Sequence, residues 1–454
     1  MRRSFAAFGA GNYRLLWGGT LFSTMAFMTS FLLVPIVAYE ITESYAASGF
    51  AQMGSGVSML LLGPIGGVIA DRYSKKPLVM IGQIVPALLI VGTGVLVVTG
   101  LITIWMLFVS SLLMGVGFAL MGPARQAWMG ELIPRSLMGS GVGLMQVAQN
   151  LALVLGPMLG SVLLIAFALG SGQIYFLIAG FFLVALPLTT WLPNAPATAV
   201  AGRRSIAREL GSGFKYLMDS PRLRMLWAFW MVITVCRFSA QVLLPGYIER
   251  NFGVPASDIF LLYLVVGVVS LIANVPLAGM VSGPRAWPLL IGFGLLLSLV
   301  FVFASLAPSF SAMMLLAILV GISSSGVLLV NQALIMTNSR PEFFGRVMSF
   351  VVLGFAAQSL LGPIWGVSAD AIGGRETMFV VAMIVLGATV TLGVGWRRTR
   401  RLPLDAGTPA ALAAAGTSLG SRRLAPTPAF ARQLAPVVRM GRQKQRTTPL
   451  PGGD

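Results

Sequence analysis

Arg237 is the residue best placed to do chemistry. It sits near the middle of an apolar run over 223–247, where a cation costs about 2.5–3.5 kcal/mol on insertion scales. A cation at that depth normally faces a wet cavity or an acid. No acid is available: all 13 Asp and Glu fall in connecting segments or near run ends. Two partners remain, an anionic group of a substrate or backbone carbonyls, so substrate contact or gating stands beside a purely structural role. Arg125 is a second cation inside an apolar run, but nearer its end, where a long side chain reaches the interface easily. Gln146, Gln149, Asn150, Gln241, Asn331 and Gln332 also interrupt apolar runs. They are candidates to line the same cavity, with hydrogen bonding between helices as the alternative.

A second constellation is Gly67-Val-Ile-Ala-Asp71-Arg72-Tyr-Ser-Lys75-Lys76, four charges in a short turn between two apolar runs. A carboxylate ending one helix can face the N-terminus of another, where the macrodipole presents partial positive charge. The run beginning near Gly345 supplies such a terminus, and Arg346 with the free amides there are candidate partners for Asp71. Glu131 is a second acid, placed to pair with Arg72. The plainer alternative is that these charges only anchor a turn at the membrane surface. The corresponding turn of the second half, Gly279-Met-Val-Ser-Gly283-Pro-Arg285, has glycine in place of the aspartate, so a latch of this kind is one-sided. Gly156-Pro157-x-x-Gly160 and Gly362-Pro363-x-x-Gly366 are expected to bend helices and let them approach closely.

Other chemistries are missing from the chain. It has no histidine and one cysteine, Cys236, and no metal-ligand cluster, nucleophile triad or phosphate-binding Gly-Lys-Ser/Thr loop. An enzyme, a metal and a cofactor are therefore not expected. Proton coupling has no titratable group at mid-run to carry it, so Glu40, Asp71, Glu131 or Asp370 would have to serve.

The elements that must position these residues follow from composition. The 454 residues are 57% hydrophobic and 10% charged, against about 25% charged in soluble domains. Spans of roughly 20 apolar residues cross a bilayer, and twelve are expected at about 15–39, 46–70, 77–99, 103–129, 139–167, 173–193, 223–247, 258–282, 288–307, 310–337, 346–369 and 376–396. The runs are continuous rather than alternating, which favours helices over a barrel. The Gly-Pro motifs repeat at an offset of 206 residues, as do Gln126-Ala127 and Gln332-Ala333. The expected fold is an all-α membrane protein whose twelve transmembrane helices form two six-helix pseudo-repeats. Residues 1–193 make the N-terminal half and 223–396 the C-terminal half. Residues 194–222 are a cytoplasmic linker whose apolar spacing suits a helix on the inner membrane surface, and 397–454 are a basic, disordered cytoplasmic tail.

The net charge of +18 is mostly topology. With the N-terminus inside, only Arg250 and Arg375 lie outside and Arg125 and Arg237 lie within spans, leaving 27 of 31 cations cytoplasmic. That asymmetry orients both termini inward and argues against a nucleic-acid partner.

The turn at Gly67–Lys76 resembles the loop between helices 2 and 3 of the major facilitator superfamily, with Ser74 in place of a usual glycine. The superfamily's helix 4 arginine motif is missing, Ser111 standing four residues before Gly115. Three further stretches are similar to the enterobactin exporter and macrolide-efflux branch. They are Asn12-Tyr-Arg14-Leu-Leu-Trp17, then Gly122-Pro123-Ala-Arg125-Gln126 with Glu131-Leu-Ile-Pro134, and Phe214-Lys-Tyr-Leu-Met-Asp-Ser-Pro221. The resemblance implies a monomeric antiporter in the inner (cytoplasmic) membrane that exports a small amphipathic, drug-like or siderophore-like compound by alternating access, driven by an ion gradient, usually protons. Import of a small nutrient is the alternative within transport. A membrane-embedded signalling or scaffold protein acting through the basic tail is the alternative outside it.

Overall fold

Away from water, each backbone N–H and C=O must be satisfied inside its own segment, and long apolar runs therefore coil into helices. The structure, a computed structural model, describes residues 6–134, 137, 140–141, 144–145, 147–149, 151–152, 154–156, 158–159, 170–194, 206–280, 285–340, 343–400 and 408. Thirteen α-helices occur among them: α1 (Gly11–Thr42), α2 (Tyr45–Arg72), α3 (Lys75–Val98), α4 (Ile104–Leu132), α5 (Ser171–Thr190), α6 (Ile206–Asp219), α7 (Pro221–Phe252), α8 (Ile259–Met280), α9 (Ala286–Ser305), α10 (Phe310–Asn338), α11 (Phe344–Leu360), α12 (Gly362–Ile372) and α13 (Gly374–Thr399). Described residues between 140 and 159 are helical as well. Nine segments of the described chain are long and apolar enough to cross a membrane. The chain to Leu402 forms one compact unit, and Pro403–Asp454 forms another.

Local chemistry explains the boundaries. Ser44, Thr103 and Ser309 each cap a helix, their hydroxyls accepting from the backbone N–H three residues on (Ala47, Met106 and Ala312, at 3.3, 3.4 and 3.3 Å), which satisfies an orphan donor of the first turn. Glu43 ends α1 in the left-handed region at φ 53°, and the turn into Ser44 follows at once.

The eleventh expected span is not one helix. α11 stops at Leu360, and α12 begins at Gly362 with Pro363 in its first turn. Proline is tolerated there because its missing N–H is an orphan position anyway. At the expected bend the two helices are separated by one residue, Leu361, whose amide still bonds to the Ala357 carbonyl at 3.0 Å.

The two halves pack by the same scheme. α2 packs on α4, α3 on α5, α3 on α4 and α1 on α5. In the second half α8 packs on α10, α9 on α13, α9 on α10 and α7 on α13. The sequence offset and the repeated pairing describe one duplicated unit. Exposed Leu88, Leu183, Ile272 and Leu315 lie on the outer faces, as a hydrocarbon solvent requires.

Described apolar residues of the linker helix α6 meet the C-terminal half: Leu217 is fully buried, Tyr216 stacks on Phe343 at 4.2 Å, and Phe214, itself exposed, packs against Phe350 at 5.6 Å. The Arg340 amide donates to the Tyr216 hydroxyl at 3.1 Å, and Arg346 donates to the Ser212 hydroxyl at 3.0 Å.

Candidate functional site

α7 is 32 residues long, about 48 Å at 1.5 Å per residue. Arg237 is 16 residues from its start and 15 from its end, so it lies at the centre of a bilayer-spanning helix. Arg237 is half-buried. Thr234 and Gln241 stand three residues before it and four after, on the same helix face. The Thr234 hydroxyl and the Gln241 amide oxygen are buried with no protein partner. On α8, Tyr263 lies close enough to Arg237 for the two groups to interact electrostatically, and its hydroxyl is also buried without a partner. Buried polar groups are nearly always paired, and these three oxygens on α7 and α8 are exceptions.

Further polar groups lie at other points of the interior. Asn331 of α10 is fully buried and its amide has no partner at either atom. Gln332 is half-buried. Gln52 of α2 and Gln358 of α11 are buried with unpartnered amide atoms; neither was singled out from the sequence, although a glutamine inside an apolar run was the available signal. Gln52 opens on a narrow cleft with Phe27, Ser30, Phe31, Ser111 and Met114. Phe31 in turn meets Phe238 of α7 at 5.4 Å, which puts that cleft at the seam between the halves. Gln146 and Asn150 lie outside the described residues, as do Pro157 and Gly160. Gly156 packs against α1 at Met25 and Thr29.

Arg125 does not join this group. It is 5% exposed and donates from α4 to the Gly19 carbonyl at 3.1 Å and the Ser23 hydroxyl at 2.7 Å on α1. Ser23 and Thr189 also accept from Gln83 at 3.1 and 3.0 Å. The result is a polar knot that ties α1, α3, α4 and α5 together inside the N-terminal half.

At the end of the bundle that carries the Gly67–Lys76 turn, the cations work within that same half. Lys75, 1% exposed, pairs with Glu131 at 2.8 Å, while the Arg72 side chain expected to meet that acid lies outside the described residues. Lys76 donates to the Thr190 and Leu192 carbonyls at 2.7 and 2.8 Å, a cation on the carbonyl end of α5 where the dipole favours it. The positions of the Gly67, Asp71 and Arg72 side groups lie outside the description. Arg346 starts α11 and engages Ser212 of the linker helix.

The opposite end closes the seam. Asp370, in the last turn of α12, accepts from the Ser44 hydroxyl at 2.8 Å and from the Tyr45 and Ala46 amides at 3.2 and 2.9 Å. It therefore caps the N-terminus of α2 from the other half. Arg250 of α7 donates to the Glu43 carbonyl and lies over the Tyr45 ring, 4.7 Å from its centroid. Among the described residues these are the hydrogen bonds that join the two halves directly. Close backbone approach supports them: a Cβ added at Gly49 would lie 2.6 Å from the Gly362 carbonyl oxygen. Glu40 is also at this end, accepting from Ser171 at 2.7 Å.

A family model for the Major Facilitator Superfamily matches residues 16–357. The chain belongs to the Major Facilitator Superfamily. Over 415 residues it is 26% identical to the multidrug resistance protein MdtG of Enterobacter lignolyticus (strain SCF1), covering 87% of this chain and 94% of that protein. Over 264 residues it is 28% identical to the multi-drug resistance efflux pump PmrA of Streptococcus pneumoniae, covering 56% and 62%. Among solved structures it is similar to a bacterial homologue of the human lysosomal transporter Spinster in an inward-facing, unoccupied conformation, with TM-score 0.67 and 15% identity over 85% of this chain and 97% of that one. A POT family transporter in complex with 5-aminolevulinic acid gives TM-score 0.70 at 12% identity, over 85% and 96%. At such identities these structures establish the fold. As a superfamily member the chain is a membrane transporter of small molecules and not an enzyme.

Proposed function

We propose that the protein exports a small amphipathic compound, drug-like or siderophore-like, from a bacterial cytoplasm by alternating access, drawing on an ion gradient across the inner membrane. The observation that carries this reading is the contrast along one seam. Its Asp370 end is closed by hydrogen bonds between the halves, while midway along α7 Arg237 stands beside Tyr263, and the Gln241 amide oxygen and the Tyr263 hydroxyl are buried with no hydrogen-bond partner among the described residues. The multidrug names of relatives at 26% and 28% identity favour export over import, and the stretches similar to the enterobactin exporter and macrolide-efflux branch agree with that direction.

With both termini inside, as the cation asymmetry favours, the closed end is the outer one. In this reading Asp71 acts at the inner end in the complementary state, against the start of α11. α2 is 28 residues long, about 42 Å, and a rod of that length pressed onto the C-terminal half at one end swings away at the other. The Asp370 and Asp71 contacts then belong to alternate states of one helix.

The test is flux in proteoliposomes. Purified protein should carry amphipathic fluorescent compounds at a rate well above empty vesicles, and should do so with residues 409–454 deleted. No protein-dependent flux of any such compound would overturn the transport reading, and flux lost only on deleting the tail would favour a scaffold.

A further inference from the structure

Among the described residues the interior of the bundle holds the guanidinium groups of Arg125 and Arg237 and no carboxylate. Arg125 is compensated where it stands, by the Gly19 carbonyl and the Ser23 hydroxyl. Beside Arg237 lies Tyr263, a neutral group, and among the described residues no acid forms an ion pair with it. The nearest acid along α7 toward the closed end is Glu249, 12 residues on, about 18 Å along the helix. Asp219 precedes α7, Asp258 precedes α8, and Asp370 and Glu376 flank the turn between α12 and α13. Each lies at an end of the bundle, and Asp370 is already engaged by α2.

We infer that the compound taken by this cavity is an amphipathic organic anion whose carboxylate or sulfonate binds Arg237, with the Tyr263 hydroxyl and the Gln241 amide beside it. The inference rests on the proposed role as an exporter with its cavity at the seam between the halves. Three physical points carry it. A cation held away from water is stabilised when an opposite charge arrives, because the low dielectric strengthens the pairing. A guanidinium offers donors in a fork that fits a planar oxyanion. The same geometry rejects a cationic drug, which would meet an uncompensated like charge with no carboxylate to offset it, and rejection of the wrong charge is how a site of this kind gains specificity. Phe31 and Phe238 at the seam, with Phe27 and Met114 on the adjoining cleft, give the remainder of such a molecule an apolar wall.

The experiment uses one fluorophore in three charge states: N-dansylglycine (anion), its methyl ester (neutral) and dansylcadaverine (cation). Each is followed for protein-dependent flux in proteoliposomes with wild-type protein, Arg237→Gln and Arg237→Lys. The expected result is that the anion moves fastest. Arg237→Gln should lower anion flux at least tenfold and ester flux less than twofold, and Arg237→Lys should recover part of the anion flux. Ester flux near wild type shows that the Gln variant is folded, so the readout is the ratio of anion to ester flux. The inference is overturned if the cation moves as fast as the anion, or if Arg237→Gln lowers all three alike. Movement of ester and cation without the anion sinks the inference and leaves the exporter reading standing. Failure of all three to move with wild-type protein sinks both.

Discussion

Replacing Asp370 by asparagine should open the seam at its closed end. The carboxylate accepts three hydrogen bonds from the start of α2, at 2.8, 2.9 and 3.2 Å. Asparagine keeps one acceptor oxygen, turns the other position into a donor and removes the charge that the helix N-terminus favours. Hydrogen bonds to charged groups contribute about 1.5–3 kcal/mol when buried, but Asp370 is exposed and solvent screening discounts that strongly. A loss of about 1–2 kcal/mol for the set is the resulting figure, and at 1.4 kcal/mol per decade it shifts the ratio of closed to open molecules by about 5- to 30-fold. Spin labels at Leu101 and Leu306, both exposed beyond the ends of α3 and α9, sit on opposite halves at this end. With buried Cys236 replaced by alanine, pulsed dipolar spectroscopy would read the two populations directly. Asp370→Asn should move population from the short to the long distance, and Ser44→Ala, which removes one bond of the three, should do the same by a smaller factor. A distance distribution unchanged in a folded Asp370→Asn protein would refute the assignment of this contact as the closure.

Two more outcomes follow from neighbouring geometry. Gly49→Ala places a methyl 2.6 Å from the Gly362 carbonyl oxygen; overpacking of this order costs about 1–3 kcal/mol, and the same spin-label pair should report a larger open fraction while thermal stability of the separate halves changes little. Arg125→Met removes the donor to Gly19 and Ser23 inside the N-terminal half, which should lower thermal stability by about 1–3 kcal/mol with the anion-to-ester flux ratio unchanged; a lost ratio would place Arg125 in the cavity after all.

The sequence carried what depends on local pattern. Apolar runs of the right length announced the helices, and the 206-residue offset announced the duplication that appears as matched packing of α2 on α4 and α8 on α10. Arg237 was legible because an uncompensated cation in an apolar run is costly wherever the run packs. Its neighbour Tyr263 was not, since a tyrosine in a membrane helix has many apolar uses and only packing brings α8 beside that turn of α7. Arg125 was read as a cation near a run end, free to reach the interface, and its actual partners were not legible because Gly19 and Ser23 approach from α1, more than 100 residues earlier. The linker helix was legible as amphipathic, but amphipathicity does not say whether the apolar face meets lipid or protein, and here Tyr216 and Leu217 meet protein. Asp370 is the hardest case. Its partners are 324 to 326 residues away, and they are chiefly backbone amides, which every residue except proline possesses. No side-chain pattern advertises an amide as a partner. Only the placement of a helix start does so, and that start depends on Ser44 capping α2 immediately after Glu43 has turned the chain.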